Sequence, residues 1–262
     1  MTFSLTVLGS NSAIPAHNRN LSAHLLNVNE RFYLIDCGEG TQFQLRRYHL
    51  SQQRIRHVFI SQLHGDHFFG LIGLLNTMHL LGRKEELHIH ADLRLKEIID
   101  MQLDASGTIL RFPLHFRPLP SGGYSTILEE ERLVVHSFPL KHSIPTSGFV
   151  FREKNKPRKV AEARSYAYCS DTAYDESIVP YIHGVQLLYH EATFKQDRTS
   201  VATEKLHSTA KEAALIAEKA AVKKLLIGHF SARYDDLAPL LEEARSIFPE
   251  TCLPEEGIPI VL

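Results

Sequence analysis

The stretch Val58-Phe59-Ile60-Ser61-Gln62-Leu63-His64-Gly65-Asp66-His67 joins an apolar run to a polar segment rich in metal-ligand residue types. Apolar residues recur at helical spacing from Phe68 to Leu75, so the polar segment is predicted to be the turn between a strand and a helix. Imidazole and carboxylate groups are the usual ligands of zinc in hydrolases. An ordinary turn does not need three such groups (His64, Asp66 and His67) within four positions. We therefore expect a metal-binding cup at residues 62–67.

Four further fragments place a histidine or an acid directly after an apolar run. These residues are His142, Asp171, His190 (followed by Glu191) and His229. The end of a strand is where a sheet presents side chains at one edge. One such histidine alone is weak support, but four fragments together with the cup indicate a metal site.

Short runs rich in β-forming residues alternate with segments of helical periodicity along the chain, without internal repeats. The alternation predicts a layered α/β protein whose sheets are covered by helices. The predicted strands lie at 3–8, 31–36, 56–61, 133–138, 148–151, 166–169, 185–189, 224–227 and 258–262, and predicted helices at 68–75, 93–101, 210–217 and 235–248. Ser208 or Thr209 is expected to cap the third helix, because a short side-chain oxygen can accept from a first-turn amide.

The composition of the 262 residues is ordinary apart from 16 histidines, with 44% hydrophobic residues, 23% charged residues and a net charge of -1. This excludes a disordered chain and a strongly basic nucleic-acid binder. No apolar run approaches the roughly 18 residues of a membrane span. The first residues lack the positive region of a signal peptide. The widely spaced Cys37, Cys169 and Cys252 indicate neither a disulfide framework nor a zinc knuckle, so a cytoplasmic location is expected.

The motifs together resemble a known family. The order QxHxDH at residues 62–67, followed by His, Asp and His, is similar to the HxHxDH pattern of the metallo-β-lactamase superfamily. More specific stretches look like ribonuclease Z, the endonuclease that matures the 3′ ends of tRNA precursors. These stretches are LHGDHFFGL at 63–71, YCSDT at 168–172, YHEATF at 189–194, LHSTA at 206–210 and GHFSARY at 228–234, together with LGSNSAIP at 8–15 and LIDCGEGTQ at 34–42.

The resemblance implies an αββα four-layer sandwich, formed as a single domain over residues 1–262, with two Zn²⁺ ions at one edge and Mn²⁺ as a possible substitute. Carried over by position, one ion is held by Gln62, His64, His142 and Asp171. The other is held by Asp66, His67, Asp171 and His229, with Asp171 bridging. The implied partners are precursor tRNA and a second copy of the chain in a homodimer, with no membrane.

The resemblance also implies catalytic roles. Asp66 is the candidate general base or water-orienting group. His207 is the candidate for protonating or stabilising the leaving 3′-oxygen. Glu191 is expected to set the tautomer of His207, as carboxylates beside catalytic histidines do. Asp36 is expected to be structural and to hold the loop that carries the ligands.

Position 62 departs from the family pattern, because glutamine stands where the family has histidine. A neutral amide oxygen binds zinc less well than imidazole does. One hypothesis is that the second metal site fills readily while the first fills weakly or with another metal. The alternative is that water or a neighbouring side chain completes the shell and activity is normal.

The interval between His142 and Asp171 also departs from the pattern, because armed members of the family insert a flexible tRNA-binding arm there. The arm expected near residues 152–164 is either absent from the protein or missing from this sequence. A basic stretch occupies the place where the arm would begin, and it is either a solvated loop or a set of phosphate contacts. Its cations are Arg152, Lys154, Lys156, Arg158 and Lys159.

Three functions are therefore considered. The first is a zinc-dependent endoribonuclease that hydrolyses a phosphodiester to mature tRNA 3′ ends. The second is another metal-dependent phosphodiesterase on the same fold, favoured if the arm is truly absent. The third is a catalytically weakened RNA-binding homologue, which only Gln62 supports.

Overall fold

The computed structural model describes residues 2–154 and 163–262. The chain divides into two compact units. The first unit comprises Met1–Leu119 and Glu255–Val261, and the second comprises Pro120–Pro254 with Leu262. The expectation of a single domain over residues 1–262 stays a prediction.

The first unit contains one mixed sheet and four α-helices among its described residues. The strands are β1 (Phe3–Gly9), β2 (Ala23–Val28), β3 (Arg31–Ile35), β4 (Ile55–Phe59), β5 (Leu87–Ala91), β6 (Leu114–Pro118) and β14 (Pro259–Val261). The helices are α1 (Thr41–Arg47), α2 (Gly65–Phe68), α3 (Leu71–Leu80) and α4 (Arg94–Ala105), and a 3-10 turn covers Gln52–Arg54. The sheet order is β14-β1-β2-β3-β4-β5-β6, with β3 to β6 parallel and β1 antiparallel to both β2 and β14.

One face of this sheet carries the apolar core of the first unit. Val58 and Ile89 on the central strands pack in one buried cluster with Leu45, Leu74 and Leu95, which come from α1, α3 and α4. Each of these side chains is fully buried. Burying a leucine or valine side chain of this kind stabilises the fold by about 1.5–3 kcal/mol, so the helices are held on the sheet by their apolar stripes.

The second unit contains a second mixed sheet among its described residues. Its strands are β7 (Ser125–Glu129), β8 (Leu133–Leu140), β9 (Thr146–Glu153), β10 (Ser165–Cys169), β11 (Leu187–Glu191), β12 (Lys224–Gly228) and β13 (Thr251–Cys252). Its helices are α5 (Val179–Ile182), α6 (Thr199–Lys205), α7 (Ala210–Lys219) and α8 (Ala238–Arg245), with 3-10 turns at Glu176–Ile178 and Gln196–Arg198. The order is β13-β12-β11-β10-β9-β8-β7, antiparallel from β7 to β10 and parallel from β10 to β13.

Helix α7 packs on this sheet through small residues. Ala213, Ala214 and Ala217 are fully buried in the apolar cluster of the second unit. The expected cap is confirmed at Thr209, whose hydroxyl accepts from the Glu212 amide while the Glu212 carboxylate accepts from the Thr209 amide. This reciprocal pair is a capping box, and it satisfies two amides that the helix itself leaves unpaired.

The topology brings the predicted functional segments to shared sheet edges. In the first unit β3 and β4 are parallel, so Asp36 and the cup at residues 62–67 follow strand ends at the same edge. In the second unit β10, β11 and β12 are parallel, so Asp171, Glu191 and His229 lie at one edge. Carboxyl ends of parallel strands are where α/β sheets place their sites.

Several boundaries differ from those expected. The helix predicted from Phe68 is divided, because α2 ends at Phe68 and α3 begins at Leu71. The last helix is shorter than the range 235–248 and covers only Ala238–Arg245. Arg152 lies in strand β9 and not in a solvated loop. Among the described residues, no helix is long and apolar enough to cross a membrane.

Candidate metal centre

The cup of the first unit lies in the turn between β4 and α2. His64 occupies the residue before α2, and Asp66 and His67 lie in the first turn of that helix. His67 is fully buried, and its Nε2 lies 3.5 Å from Asp66 Oδ2. Gln62 is also buried, with 2% of its surface exposed. The structure therefore places the four sequence-predicted residues of this segment within one tight turn.

Asp36 holds this turn from the end of β3. Its Oδ1 accepts from the Ser61 amide at 2.7 Å, and its Oδ2 accepts from the Ser61 hydroxyl at 2.7 Å. The same Oδ2 accepts from His67 Nδ1 at 2.7 Å, so the imidazole carries its proton on Nδ1 and its lone pair on Nε2. The expected structural role of Asp36 agrees with these contacts.

In the second unit, Asp171 lies between two histidines. His229 Nε2 is 2.9 Å from Asp171 Oδ1, and His142 Nε2 is 3.5 Å from Asp171 Oδ2. Asp171, His207 and His229 each offer one ligand atom within 4.8 Å of the others, and Asp171 and His229 are buried. A carboxylate with a histidine beside each oxygen is a set of groups that could hold a divalent metal ion.

The Nδ1 atoms of His142 and His229 form hydrogen bonds with groups other than Asp171. His142 Nδ1 donates to the carbonyl of Leu206 at 3.0 Å. His229 Nδ1 lies 3.0 Å from the Thr193 hydroxyl, whose own proton goes to the Glu191 carboxylate at 2.6 Å, so His229 is the donor. A histidine that donates from Nδ1 coordinates through Nε2, which is the usual arrangement of zinc-binding histidines. The donor set therefore fits a divalent metal ion such as zinc.

Glu191 orients His207 in the same unit. The buried Glu191 Oε1 accepts from His207 Nδ1 at 2.8 Å and from the Thr172 amide at 2.7 Å. Burial raises the pKa of Glu191, but the His207 imidazole outweighs it and holds that pKa below its usual value. Burial likewise lowers the pKa of His207, yet the Glu191 carboxylate leaves it raised overall. The pair therefore favours a protonated His207 beside an ionised Glu191.

Three contributors were not found by sequence reasoning. Thr193 lies in the motif YHEATF, but nothing in the sequence around it indicates that it contacts His229. The Leu206 carbonyl is a backbone group that no side-chain pattern can indicate. The Ala13 amide donates to Asp66 Oδ2 at 3.0 Å; Ala13 lies within the stretch LGSNSAIP at 8–15, whose residue types do not indicate this contact.

The basic stretch is only partly described. Arg152 donates to the carbonyl of Tyr181 at 3.2 Å, and Lys154 pairs with Glu129 at 2.7 Å. Lys156, Arg158 and Lys159 lie outside the described residues. Within the described part, both cations are already engaged with protein groups.

Comparison with known proteins defines the class. A family model described as a β-lactamase superfamily domain matches residues 31–230. The short form of human tRNase Z has a solved structure that superposes with a TM-score of 0.83 at 32% identity, covering 98% of both chains. The protein is thus a metal-dependent hydrolase with the metallo-β-lactamase fold, and the α/β fold class predicted from the sequence is confirmed.

Relatives of similar length define the family. The chain is 40% identical to a protein named ribonuclease Z from Parabacteroides distasonis, covering 98% of each chain. It is 44% identical to a ribonuclease Z from Cytophaga hutchinsonii, covering 98% of this chain and 95% of that one. The chain belongs to the ribonuclease Z family, which makes it an endoribonuclease, and the resemblance seen in the sequence is confirmed.

The length of one alignment bears on the expected arm. The comparison with the Parabacteroides protein runs over 297 positions, more than the 262 residues of this chain. That relative therefore contains residues with no counterpart here. Their position along the chain is not fixed by the comparison, so the absence of an arm near 152–164 stays a prediction.

We predict that Asp36→Asn weakens zinc binding by about 10–100-fold, the usual effect of removing a carboxylate behind a ligating histidine. Asparagine tolerates the left-handed backbone at this position, where φ is 56°, so the turn is retained while one anionic acceptor is lost. Competition titration with a chromogenic chelator measures the affinity. The exposed Asp104→Asn is the matched control, and equal affinities for the two variants contradict the assignment.

Proposed function

We propose that the protein is a zinc-dependent endoribonuclease that cleaves precursor tRNA to produce the mature 3′ end. The printed names of relatives at 40% and 44% identity support the substrate class. The observation that carries the proposal is the hydrogen bond between Glu191 and His207, next to the pair of Asp171 and His229. A metal ligand cluster with an oriented, protonatable histidine beside it is what phosphodiester hydrolysis with a poor leaving group requires.

The proposed ligand sets are those that the family resemblance implies. We infer that one ion takes His64, His142 and Asp171 with Gln62, and the other takes Asp66, His67, Asp171 and His229. The support within each unit is the Nε2 orientation of His67, His142 and His229 described above. Bound divalent ions lower the pKa of an attacking water and neutralise charge on the phosphate oxygens.

The protein side chains then handle the protons. Asp66 Oδ2 is held by the Ala13 amide and lies beside His67, where it can orient the water or accept its proton. His207 is fixed by Glu191 through Nδ1, which leaves its Nε2 to give a proton to the departing 3′-oxygen. The Glu191 carboxylate raises the pKa of His207, which favours the protonated form that a general acid needs.

Other parts of the proposal concern binding and location. The cations from Arg152 to Lys159 are proposed to contact RNA phosphates, which predicts that precursor affinity falls as salt concentration rises.

The family resemblance supports a homodimer in the cytoplasm. Sedimentation equilibrium tests the dimer, because a purely monomeric species at micromolar concentration is incompatible with it.

The direct test uses a precursor tRNA with a 3′ trailer. Wild-type protein with zinc or manganese is expected to release a tRNA ending in a 3′-hydroxyl and a trailer with a 5′-phosphate. His207→Ala is expected to lower kcat by about 10²–10⁴-fold, the range for loss of a general acid. Hydrolysis of bis(p-nitrophenyl) phosphate without precursor cleavage would point to another phosphodiesterase. RNA retention without cleavage at any metal would point to a binding homologue.

A pH profile tests the pairing of Glu191 with His207. An acid must be protonated to act, so activity falls as the pH rises through its pKa. Glu191→Gln removes the anion that raises the pKa of His207. We expect the alkaline limb of the kcat profile to move to lower pH, with kcat reduced about 10–100-fold.

The control for this variant is Glu204→Gln, an exposed change on α6. All three proteins are loaded to the same measured zinc content before the assay, so that a difference in the profile reports the carboxylate. An alkaline limb that stays where the wild type has it would refute the assignment of His207 as the acid.

Position 62 is tested by restoring the family residue. We propose that the first metal site binds weakly because a buried amide replaces an imidazole. Gln62→His is expected to raise the zinc content per chain after mild chelation and to raise activity in parallel. Wild-type protein that keeps two equivalents of zinc under the same chelation would show that the glutamine does not weaken the site.

A further inference from the structure

Glu256 near the end of the chain is a half-buried carboxylate with an unusual set of donors. Its Oε1 accepts from the amide and hydroxyl of Ser10, both at 3.0 Å, and from the Asn20 amide at 3.0 Å. Its Oε2 accepts from Asn20 Nδ2 at 2.8 Å and from Gln44 Nε2 at 3.4 Å. Burial raises the pKa of Glu256, with the hydrogen bonds from Asn20 and Ser10 opposing that rise.

The backbone beside Glu256 is itself fixed. The Gly257 amide donates to the Val7 carbonyl on β1 at 2.8 Å. Gly257 has φ of 86°, and a Cβ there would lie 2.1 Å from a carbon of the Tyr48 ring. Only glycine fits this position. The segment at Glu256 and Gly257 therefore packs against β1 and α1, with the Glu256 carboxylate directed at Ser10 and Asn20.

The donors Ser10 and Asn20 are the two ends of one loop, which leaves β1 and returns toward β2. Within residues 10–20 the Asn11 amide donates to the Asn20 carbonyl at 2.8 Å, and the Arg19 side chain donates to Asn11 Oδ1 at 3.0 Å. Glu256 therefore closes the base of the loop from a position more than 230 residues later in the chain.

The tip of the same loop reaches the proposed catalytic carboxylate. The Ala13 amide donates to Asp66 Oδ2 at 3.0 Å, and Ala13 has φ of 58°, in the left-handed region that alanine rarely adopts. A residue in this conformation persists only where its surroundings hold it. The internal hydrogen bonds of the loop and its closure at Glu256 are those surroundings.

We propose that Glu256 is a positioning residue for hydrolysis: it fixes the loop at residues 10–20 so that the Ala13 amide holds the Asp66 carboxylate. The proposal rests on the proposed role of Asp66 as the water-orienting group. A carboxylate is suited to this task because it offers only acceptors, and an ionised acceptor makes hydrogen bonds roughly twice as strong as a neutral one.

The test combines hydrogen exchange with kinetics on the metal-loaded protein. In Glu256→Ala, amide exchange in a peptide covering residues 10–20 is expected to accelerate about tenfold or more, as local opening becomes easier. The kcat for bis(p-nitrophenyl) phosphate is expected to fall about tenfold, equal to about 1.4 kcal/mol in activation free energy, with KM changed less than about twofold. Glu256→Gln, which keeps one acceptor oxygen, is expected to lie between.

The matched control is Glu255→Ala, which removes the neighbouring exposed carboxylate and is expected to leave exchange and kcat unchanged. Unchanged exchange at residues 10–20 in Glu256→Ala overturns the proposal. Faster exchange with unchanged kcat also overturns it, because Glu256 would then be structural only. If Glu256→Ala unfolds, the same comparison is made with Glu256→Gln.

Failure of the proposed function is recognised separately. In that case the wild-type protein does not cleave precursor tRNA, whether or not it hydrolyses bis(p-nitrophenyl) phosphate, whereas the exchange measurement still reports whether Glu256 holds the loop. Loss of kcat in Glu256→Gln with normal precursor binding supports the positioning role within the proposed function.

Discussion

The donation of a proton from a buried imidazole Nδ1 to a fixed acceptor is the interaction on which the site depends. Coordination through Nε2 needs a neutral ring with its proton on the other nitrogen. A buried N–H group without an acceptor costs free energy, and here the protein supplies the acceptor. Asp36 does this for His67, the Leu206 carbonyl for His142 and the Thr193 hydroxyl for His229.

Those acceptors are in turn held by hydrogen bonds to other groups of the same unit. Asp36 is fixed by the Ser61 amide, and Thr193 by the Glu191 carboxylate. Glu191 links two functions, because it also orients His207 and takes the Thr172 amide next to Asp171. Loss of one such acceptor is therefore expected to disturb both metal affinity and proton transfer.

The sequence indicates the candidate ligands through their motifs but not the groups that contact them, for a physical reason. Ligands such as His64 and Asp171 follow strand ends, and short motifs around them are distinctive. The Leu206 carbonyl and the Ala13 amide are backbone groups, whose position depends on chain path and not on residue type. Glu256 lacks any motif, because its partners Ser10 and Asn20 come from the opposite end of the chain. The helix predicted at 235–248 covers only Ala238–Arg245, and a proline stands in its first turn, where it favours the start of a helix.

Four non-glycine residues that are candidate metal ligands or contact one have left-handed backbone. Asp36, Asp171, Leu206 and His229 have φ of 56°, 23°, 55° and 56°. Each such residue costs of order 1–3 kcal/mol of stability when its surroundings must impose the conformation. At these four residues the fold thus loses some stability, and in return the backbone has the conformation that the site uses. Substitutions that raise the thermal stability of this protein would accordingly be sought in the helices and outer loops, with these four positions left unchanged.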